Sequence, residues 1–334
     1  MRAAPAVDAV LGQGRVERML IIALHAGAGA FVSVWAAAHV EATAGRLSAW
    51  LPWLAACSSP LPLGPKVPAP TSDKAATVRL HASADAHGLE AYRGITDISV
   101  AYAGRWRPFV DRIQPDLVDA AYRGSSQERL IPSQAINAQA YDGPAGRKQV
   151  LWRRGDESQS RPAHVSVWRN GTPIDDAATL DAAALVAEGY GLFLLGPLWV
   201  VDRGLATRSA GSERVDGRLC DVVEVWLKPG LGRSPLDRVA LCIDRDDDVT
   251  RRMRFTLEGT ANTRGAVAEV DTYEHRRYAG VLWPMRSYER VLHPLRLPAH
   301  DWHVTGLDVN RGFTASDLEG PAFGGLAAAP AKPV

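Results

Sequence analysis

Two clusters in the C-terminal half of the chain contain residue types that can bind metal ions. Asp244, Asp246 and Asp248 stand at the first, third and fifth positions of a possible calcium loop. Such a loop needs glycine at its sixth position and glutamate at its twelfth, where this chain has Val249 and Phe255. We therefore predict an acidic turn between two strands.

The second cluster is His300 and His303, with Asp301 between them. Residues three apart do not share one face of a strand, and the chain lacks the HExxH pattern of zinc-binding helices. We predict ordinary loop and strand histidines at these positions and no metal site.

Motifs of common catalytic sites are absent from the sequence. It contains no GxSxG, SxxK, P-loop or GxGxxG pattern. We therefore assign no catalytic residue and no cofactor, and we expect the chain not to be an enzyme. A Ser-His-Asp triad assembled from distant segments leaves no such signature, so an exported enzyme acting on a lipid or polymer stays open as a third reading.

Cys57 follows a short apolar segment near the N-terminus. The segment Leu47–Ala56 comes directly after Arg46 and ends in Leu54-Ala55-Ala56. This order resembles the bacterial lipobox. The resemblance implies that the Cys57 thiol is acylated as a lipid anchor and that residues 1–56 are removed. A core helix that ends in Ala-Ala-Cys is the alternative.

The residues around this motif predict a leader and a tether. An earlier apolar run, Met19–Ala38, could be a signal region or a membrane span. Because Cys57 is late for a lipoprotein signal, we hypothesise that translation starts near Val40. Residues 57–73 are rich in proline, which excludes a helix or central strand and predicts a tether. We place the folded domain at 74–320 and a disordered tail at 321–334.

Composition narrows the class of protein. The chain has 334 residues, 46% hydrophobic and 22% charged, which is ordinary for a globular protein, and about 250 residues suffice for one continuous core. Its formal net charge is only +1, so it has no basic excess to neutralise a phosphate backbone. Nucleic acid is therefore not expected as a partner.

Beyond a predicted helix at Thr77–Arg93, segments with period-2 alternation dominate the chain. Asn170-Gly171 predicts a tight turn, since both residue types accept positive φ. Clean alternation in Arg251–Glu258 indicates a half-buried antiparallel strand. The predicted strands are Ile95–Trp106, Gln149–Arg153, His164–Trp168, Arg218–Lys228, Arg238–Asp244, Arg251–Glu258, Ala266–Tyr273, Val281–Val291 and Trp302–Val309.

A hairpin is predicted with Cys220 opposite Cys242 and Pro229–Pro235 as its loop. This register places Glu224 opposite Arg238, and Arg218 opposite Asp244, and cross-strand charge pairs of this kind stabilise a sheet. Facing cysteines lie close to bridging distance, so either a disulfide between Cys220 and Cys242 or two buried thiols would fit.

One apolar stretch, Thr179–Val201, predicts a helix. Asp175, Asp176 and Thr179 can cap its start, and Gly196-Pro197 should end or break it. The helix could simply cover one side of the sheet. Alternatively, it could be a lid over an apolar cavity, with Gly189 and Gly191 permitting movement.

From about Ala91 to Gly312 the order of these elements resembles the LolA/LolB-like outer-membrane lipoprotein carriers. The most characteristic part is Val215–Val225, which contains Asp216-Gly217 and Val222-Val223-Glu224, followed by Leu241–Asp244. The strand that ends at Tyr278–Pro284 completes the pattern. The resemblance implies an α+β, mainly antiparallel fold: a curved half-open barrel sheet with helices plugging the open side.

The resemblance also implies a function without catalysis. A half-barrel with an apolar inner face suits acyl chains, since each buried CH₂ contributes about 0.8 kcal/mol. Unlike the soluble carrier, this chain would have its own lipid anchor, holding it to the periplasmic face of the outer membrane. We expect a lipid or lipoprotein acyl chain as ligand, with a role in lipoprotein or lipid trafficking. The alternative is a structural or assembly lipoprotein that docks another envelope protein.

Residues that would line this cavity are aromatic or aliphatic. Arg105 and Arg107 could meet a lipid headgroup at the rim, although charged residues beside a buried strand position usually form the solvated face. The expected lining residues are Trp106, Trp152, Trp168, Leu185, Tyr190, Phe193, Leu194 and Trp199.

Overall fold

The computed structural model describes Leu63, residues 68–321, Phe323 and residues 328–331. All of them belong to one unit, Pro62–Val334. The predicted leader, the anchor Cys57 and most of the predicted tether lie outside the described residues.

The first helices confirm the predicted helical segment and divide it in two. Helix α1 spans Lys74–His87 and α2 spans Leu89–Arg93. Asp73 caps α1, because its side chain accepts a hydrogen bond from the Ala75 amide at 2.9 Å. Gly88 separates the helices at φ 93°, and a Cβ at this position would lie 2.3 Å from the Gly280 carbonyl oxygen. Only glycine permits this turn against the neighbouring backbone.

Fifteen strands follow α2, with short helices between some of them. The connecting helices are α3 (Pro108–Ile113), α4 (Pro115–Val118), α5 (Ala177–Leu195) and α6 (Pro197–Val200). The strands are β1 (Ile98–Trp106), β2 (Ser125–Ile131), β3 (Ile136–Gly143), β4 (Gly146–Arg153), β5 (His164–Arg169), β6 (Thr172–Ile174), β7 (Gly204–Val215), β8 (Arg218–Leu227), β9 (Asp237–Asp244), β10 (Thr250–Leu257), β11 (Ala266–Tyr273), β12 (Arg276–Tyr278), β13 (Val281–Trp283), β14 (Arg286–His293) and β15 (Leu297–Val309).

Thirteen of these strands form one antiparallel sheet, in the order β6-β5-β4-β3-β2-β1-β15-β14-β11-β10-β9-β8-β7. Strands β12 and β13 form a separate hairpin. The first and last strands in the order, β6 and β7, do not pair, so the sheet is not closed. This confirms the predicted mainly antiparallel α+β fold with a half-open sheet.

The sheet curls around α5. Trp152 on β4 donates a hydrogen bond from Nε1 to Glu188 on α5 at 2.9 Å. One turn away on α5, Leu185 packs so closely against the β8–β9 loop that a Cβ on Gly232 would lie 2.7 Å from the Leu185 amide nitrogen. Strands β4 and β8 are nine places apart in the sheet, which would be about 43 Å in a flat sheet. A helix about 10 Å wide reaches both only because the sheet curves around it.

The two faces of the sheet differ in chemistry. The inner face, which packs against α1, α5 and α6, includes Val223, Val225, Leu241, Met253 and Phe255 in the main core. On the outer face of the same strands, charged side chains pair across the sheet. The outer pairs include Arg254 with Glu269 at 2.5 Å, Arg254 with Glu213 at 2.7 Å, Arg290 with Glu269 at 2.7 Å, and Arg252 with Asp271.

This pairing corrects the predicted burial of β10. Arg254 is buried although it lies on the outer face, because Glu213 and Glu269 surround its guanidinium. The strand was expected to be half-buried, but Met253 through Thr256 are all buried. The alternation in the sequence correctly indicated which side chains of β10 face inward. It could not indicate that charged residues on neighbouring strands bury the outward-facing side chains.

The predicted β8–β9 hairpin exists, but its predicted register is wrong by two residues. Cys220 pairs with Asp244, and Val222 pairs with Cys242. A shift of two keeps every side chain on its predicted face. The predicted contact between Arg218 and Asp244 is also present, although the two residues are diagonal neighbours and not opposite each other. Arg218 Nη1 lies 2.6 Å from Asp244 Oδ2.

Of the two arrangements considered for Cys220 and Cys242, the structure contains two free, buried thiols and not the disulfide. Because the cysteines are diagonal neighbours and not opposite each other, their separation exceeds the usual bridging range. Cys242 Sγ instead donates a hydrogen bond to Glu213 Oε1 at 3.2 Å, and Cys220 Sγ contacts the Arg218 carbonyl oxygen at 3.7 Å. Burial raises the pKa of the Cys220 thiol to about 11, which disfavours the reactive thiolate.

Several strands were not predicted: β2, β3, β6, β7 and β12. In β2 and β3 the inner positions include Glu128, Asn137 and Gln139, so these strands lack the alternation of apolar and polar residues. The predicted strand Val281–Val291 is two strands, β13 and β14, separated at Pro284-Met285. The Asn170-Gly171 turn is confirmed, with φ of 51° and 80°.

The end of the chain is more ordered than predicted where it is described. Residues 328–331 run along β15: the Leu307 amide donates to the Ala329 carbonyl at 2.9 Å, and the Ala331 amide donates to Thr305 at 2.8 Å. Ala331 packs against the main core. The prediction of a disordered tail is therefore wrong for these residues.

Buried histidines connect α1 to the sheet and make stability depend on pH. His87 Nδ1 faces the Leu282 carbonyl oxygen at 3.2 Å, while its Nε2 accepts from the Thr250 amide at 3.2 Å. An acceptor nitrogen carries no proton, so this geometry fits only the neutral ring. Burial, together with the neighbouring His275, lowers the pKa of His87 to about 3.

We expect the His87→Gln variant to be less stable at pH 7 by about 1–3 kcal/mol, because it loses this pair of contacts. Unfolding exposes His87 to its ordinary pKa of 6.5, so its stabilising contribution is lost as the pH falls from 6.5 towards 3. The difference between variant and wild type should therefore shrink between pH 7 and pH 5, which urea unfolding would measure. His81→Gln, at an exposed position of α1, is the control. A constant difference across this range would contradict the assignment.

Candidate functional site

Helix α5 fills the interior of the curled sheet. Asp176 caps it as predicted, accepting from the Thr179 amide at 2.8 Å, and every residue from Ala182 to Val200 is buried. Among the described residues, α5 is the one helix long and apolar enough to cross a membrane, judged by length and composition alone. Here this apolar surface is buried against the inner face of the sheet.

The junction between α5 and α6 lies at Gly196, as the Gly196-Pro197 pair predicted. Gly196 has φ 50° and ψ −122°, a conformation that residues with a Cβ avoid. Its amide still donates to the Leu192 carbonyl at 2.7 Å. The chain therefore turns sharply between the two helices without leaving the interior.

Glu188 connects α5 to both sides of the curl. It accepts from Trp152 on β4, and its other carboxylate oxygen contacts Arg203 Nη1 at 3.0 Å. Arg203 in turn donates to the Pro229 carbonyl oxygen after β8 at 3.0 Å and lies 3.5 Å above the Trp199 ring. Trp152 and Trp199, both predicted to line a cavity, are thus part of this buried bridge.

Aromatic rings form a continuous row between α5 and the sheet. Tyr190 lies 5.6 Å from Trp302, and Phe193 lies 5.3 Å from both Trp302 and Phe255, measured between ring centroids. The row continues outward through His300, which stacks on Trp302 at 4.6 Å and on Trp106 at 4.3 Å. We call this row the aromatic seam: Trp106, His300, Trp302, Tyr190, Phe193 and Phe255.

Polar groups surround the outer end of the seam. Glu128 and Glu289 lie on the inner face, and Gln139 Nε2 donates to Glu128 Oε1 at 2.5 Å. Burial raises the pKa of Glu128 to about 8, and it raises the pKa of Glu289 to about 7. Burial and the nearby Arg123 guanidinium hold the pKa of His300 well below its usual value.

Arg123 stands at the centre of these polar groups. Its Cζ atom lies 4.7 Å from the centroid of the Tyr141 ring and 5.5 Å from that of Trp106. Its Nε and Nη1 atoms are buried and have no hydrogen-bond partner among the described residues. A cavity of about 30 Å³ adjoins it, whose lining includes Tyr102, Trp106, Arg123, Tyr141, Tyr190, His300 and Trp302.

The predicted lining residues fall into three groups. Leu185, Tyr190, Phe193 and Leu194 are buried on α5 in the main core, and the first group also includes Trp106, which lines the small cavity together with Tyr190. Trp152 and Trp199 belong to the Glu188 bridge. Trp168 does not face the interior: it lies on the outer face and lines a separate cavity of about 290 Å³ with His164 and Ser166. For Trp168 the predicted location is wrong.

A third cavity, of about 660 Å³, lies on the outer face and is largely polar. Its lining includes Arg105, Arg286, Asp301 and His303. His303 points outward while His300 points inward, as the alternation of a strand requires. Within the described ranges, no group of three or more His, Cys, Asp or Glu residues is placed to hold a metal ion.

Sequence reasoning missed the polar end of the interior. No sequence motif includes Arg123, Glu128, Gln139 or Glu289. These residues lie on strands or turns without alternation of apolar and polar residues. The one available signal was a run of inward positions with polar residues in β2 and β3. That signal is visible only after the pairing of these strands is known.

Taken together, the described residues form an unclosed antiparallel sheet curled around an apolar helix. This agrees with the mainly antiparallel α+β fold and half-open sheet expected from the sequence.

Comparison with known proteins gives structural likeness at low sequence identity. No protein-family model matches the chain, and no curated protein matches its sequence significantly. A DUF1329 family protein from Desulfovibrio piger aligns with 13% identity and a TM-score of 0.46, covering 75% of this chain and 98% of that one. A LolA superfamily protein from Nitrosomonas europaea aligns with 11% identity and a TM-score of 0.41, covering 73% and 97%.

A putative outer membrane lipoprotein-sorting protein domain from Vibrio parahaemolyticus is also similar, with 9% identity and a TM-score of 0.36. The match covers 69% of this chain and 95% of that one. At these identities and TM-scores, the functions of those proteins do not transfer to this chain.

We expect Glu128→Gln to change the pH dependence of stability. In the folded protein the pKa of Glu128 is about 8, whereas its ordinary value is 4.5. The contribution of Glu128 to wild-type stability is therefore lost as the pH rises from 4.5 towards 8. Glutamine does not ionise and keeps an acceptor oxygen for Gln139. The variant should gain at least about 1 kcal/mol relative to wild type between pH 5 and pH 8.

Urea unfolding at a series of pH values would measure this gain. Glu90→Gln, at an exposed position of α2, is the control and should follow the wild type. Parallel profiles for Glu128→Gln and wild type would show that Glu128 ionises normally in the folded protein.

Proposed function

We propose that this chain is a membrane-tethered, non-enzymatic binder of a lipid or an acyl chain. The observation that carries the proposal is α5: an apolar helix, buried from Ala182 onward, fills the space enclosed by a curled sheet. An acyl chain could occupy the same space, because it makes the same kind of contact with the inner face.

Binding would require α5 or its side chains to move. The cavity at the seam has a volume of only about 30 Å³, far too small for an acyl chain. Each CH₂ group that becomes buried contributes about 0.8 kcal/mol, so the binding of a long chain can offset the free-energy cost of partly exposing α5. The α5–α6 junction at Gly196 is the place where such a movement would begin.

The tether and the location belong to the same proposal. Acylation at Cys57 would hold the domain at a membrane. The residue after this cysteine is Ser58 and not aspartate, which resembles the arrangement in lipoproteins sent to the outer membrane. Several acyl chains on one anchor make membrane attachment stable. A role in lipoprotein or lipid trafficking follows from a binding site kept beside its lipid source.

We expect Gly196→Ala to raise the uptake of acyl chains. A Cβ at φ 50° and ψ −122° strains the closed junction by about 1–3 kcal/mol, so the closed state loses stability relative to an open one. Native mass spectrometry of the full chain with added palmitate would then show a larger bound fraction than wild type at equal ligand concentration.

Gly211→Ala is the matched control, because Gly211 also has positive φ (88°) but lies at an exposed position of β7 with open space around it. It should bind palmitate like the wild type. If wild type, Gly196→Ala and Gly211→Ala all remain without bound lipid, the proposal is wrong and a role in docking another envelope protein becomes the better explanation.

A further inference from the structure

Arg123 lacks the ion pair that several cations form in the described part of the chain. Lys148 lies 2.5 Å from Asp119, Arg203 lies 3.0 Å from Glu188, and Arg254 lies 2.7 Å from Glu213, in each case nitrogen to carboxylate oxygen. Arg123 forms no such ion pair with any residue the structure describes, and its neighbours are the Tyr141 and Trp106 rings. Burying a cation without a partner is unfavourable.

The acidic groups near Arg123 do not replace that partner. Glu128 accepts its hydrogen bond from Gln139, and burial keeps its pKa at about 8, so it is largely neutral at pH 7. Glu289 has a pKa of about 7 and is only partly ionised there. Asp119 already pairs with Lys148 and Arg169. His300 is neutral, so the net charge around the small cavity is positive.

The aromatic seam connects this positive site with the apolar core. It begins at Trp106, beside Arg123, and ends at Phe255, which lies among the aliphatic side chains of the inner face. Arg123 comes just before β2 in the chain, and its side chain is partly exposed to solvent. A ligand lying along the seam would thus have a charged end near the rim and an apolar end inside.

We infer that Arg123 binds the carboxylate of a free long-chain fatty acid, whose chain lies along the aromatic seam. A carboxylate oxygen can accept a charge-assisted hydrogen bond from the guanidinium at Nε or at Nη1, since neither atom has a hydrogen-bond partner among the described residues. The adjoining space of about 30 Å³ suits one carboxylate oxygen better than a phosphate group. This inference rests on the proposed function, since it names the ligand class of the same interior.

The test compares two ligands of equal chain length, palmitate and hexadecanol, on the full chain at pH 7 by isothermal titration calorimetry. A charge-assisted contact is worth about 1.5–3 kcal/mol, so wild type should bind palmitate at least about tenfold more tightly. Arg123→Gln should lose this preference and keep its affinity for hexadecanol within about threefold. Arg123→Lys should retain part of the preference, because it keeps the charge without the planar geometry.

Arg105→Gln is the matched control, because Arg105 is next to Trp106 in the chain but lies on the outer face of the sheet. It should behave like wild type, and thermal unfolding of every variant would verify that each is folded. Palmitate bound equally by wild type and Arg123→Gln would overturn the inference. The inference would also be overturned if hexadecyl phosphate bound more tightly than palmitate and its binding depended on Arg123 in the same way. That result would assign the site to a phosphate headgroup.

The remaining outcomes separate this inference from the proposed function. Equal binding of palmitate and hexadecanol by wild type would overturn the carboxylate site and support the acyl-binding interior. If wild type binds neither ligand, the proposed function fails and the inference fails with it.

Discussion

The buried bridge through Glu188 is the interaction on which the rest of the structure depends. An open sheet of thirteen strands twists and curls by itself, but its strands alone do not fix where the two sides of the curl stand relative to each other. Trp152 and Arg203 both contact Glu188 on α5, and Arg203 continues to the Pro229 carbonyl on the opposite side. Because a single buried carboxylate satisfies donors from both sides, the curl, the position of α5 and the enclosed interior are fixed together.

The interior that results is divided into two parts. Strands β8–β11 contribute aliphatic residues and Phe255. At the other end, β2 and β14 contribute Glu128 and Glu289, and the turn before β2 contributes Arg123, beside aromatic rings. An entirely apolar container would accept chains without regard to their ends. A container with a positively charged end can orient its ligand, since only one end of a fatty acid is stable beside an unpaired guanidinium.

The apolar half of the fold could be predicted from the sequence, and the polar half could not. Alternation identified β8–β11, and the uninterrupted apolar run identified α5 with its break at Gly196. Strands β2 and β3 were not predicted, because a sequence does not distinguish inward-facing polar residues such as Glu128 and Asn137 from solvent-facing ones. The β8–β9 register was wrong by two, since Arg218 and Asp244 make contact equally well as diagonal neighbours.

The edges of the open sheet determine how the chain behaves beside other chains. Unpaired strands can accept a further strand and begin aggregation. At one edge, β6 has three residues and includes Pro173. At the other, Asp73 covers part of β7: its amide donates to Thr207, and its side chain accepts from the Ser209 amide at 3.3 Å. The residue that starts α1 thus also protects an edge, so the sheet can stay open without pairing with the edge strand of another copy.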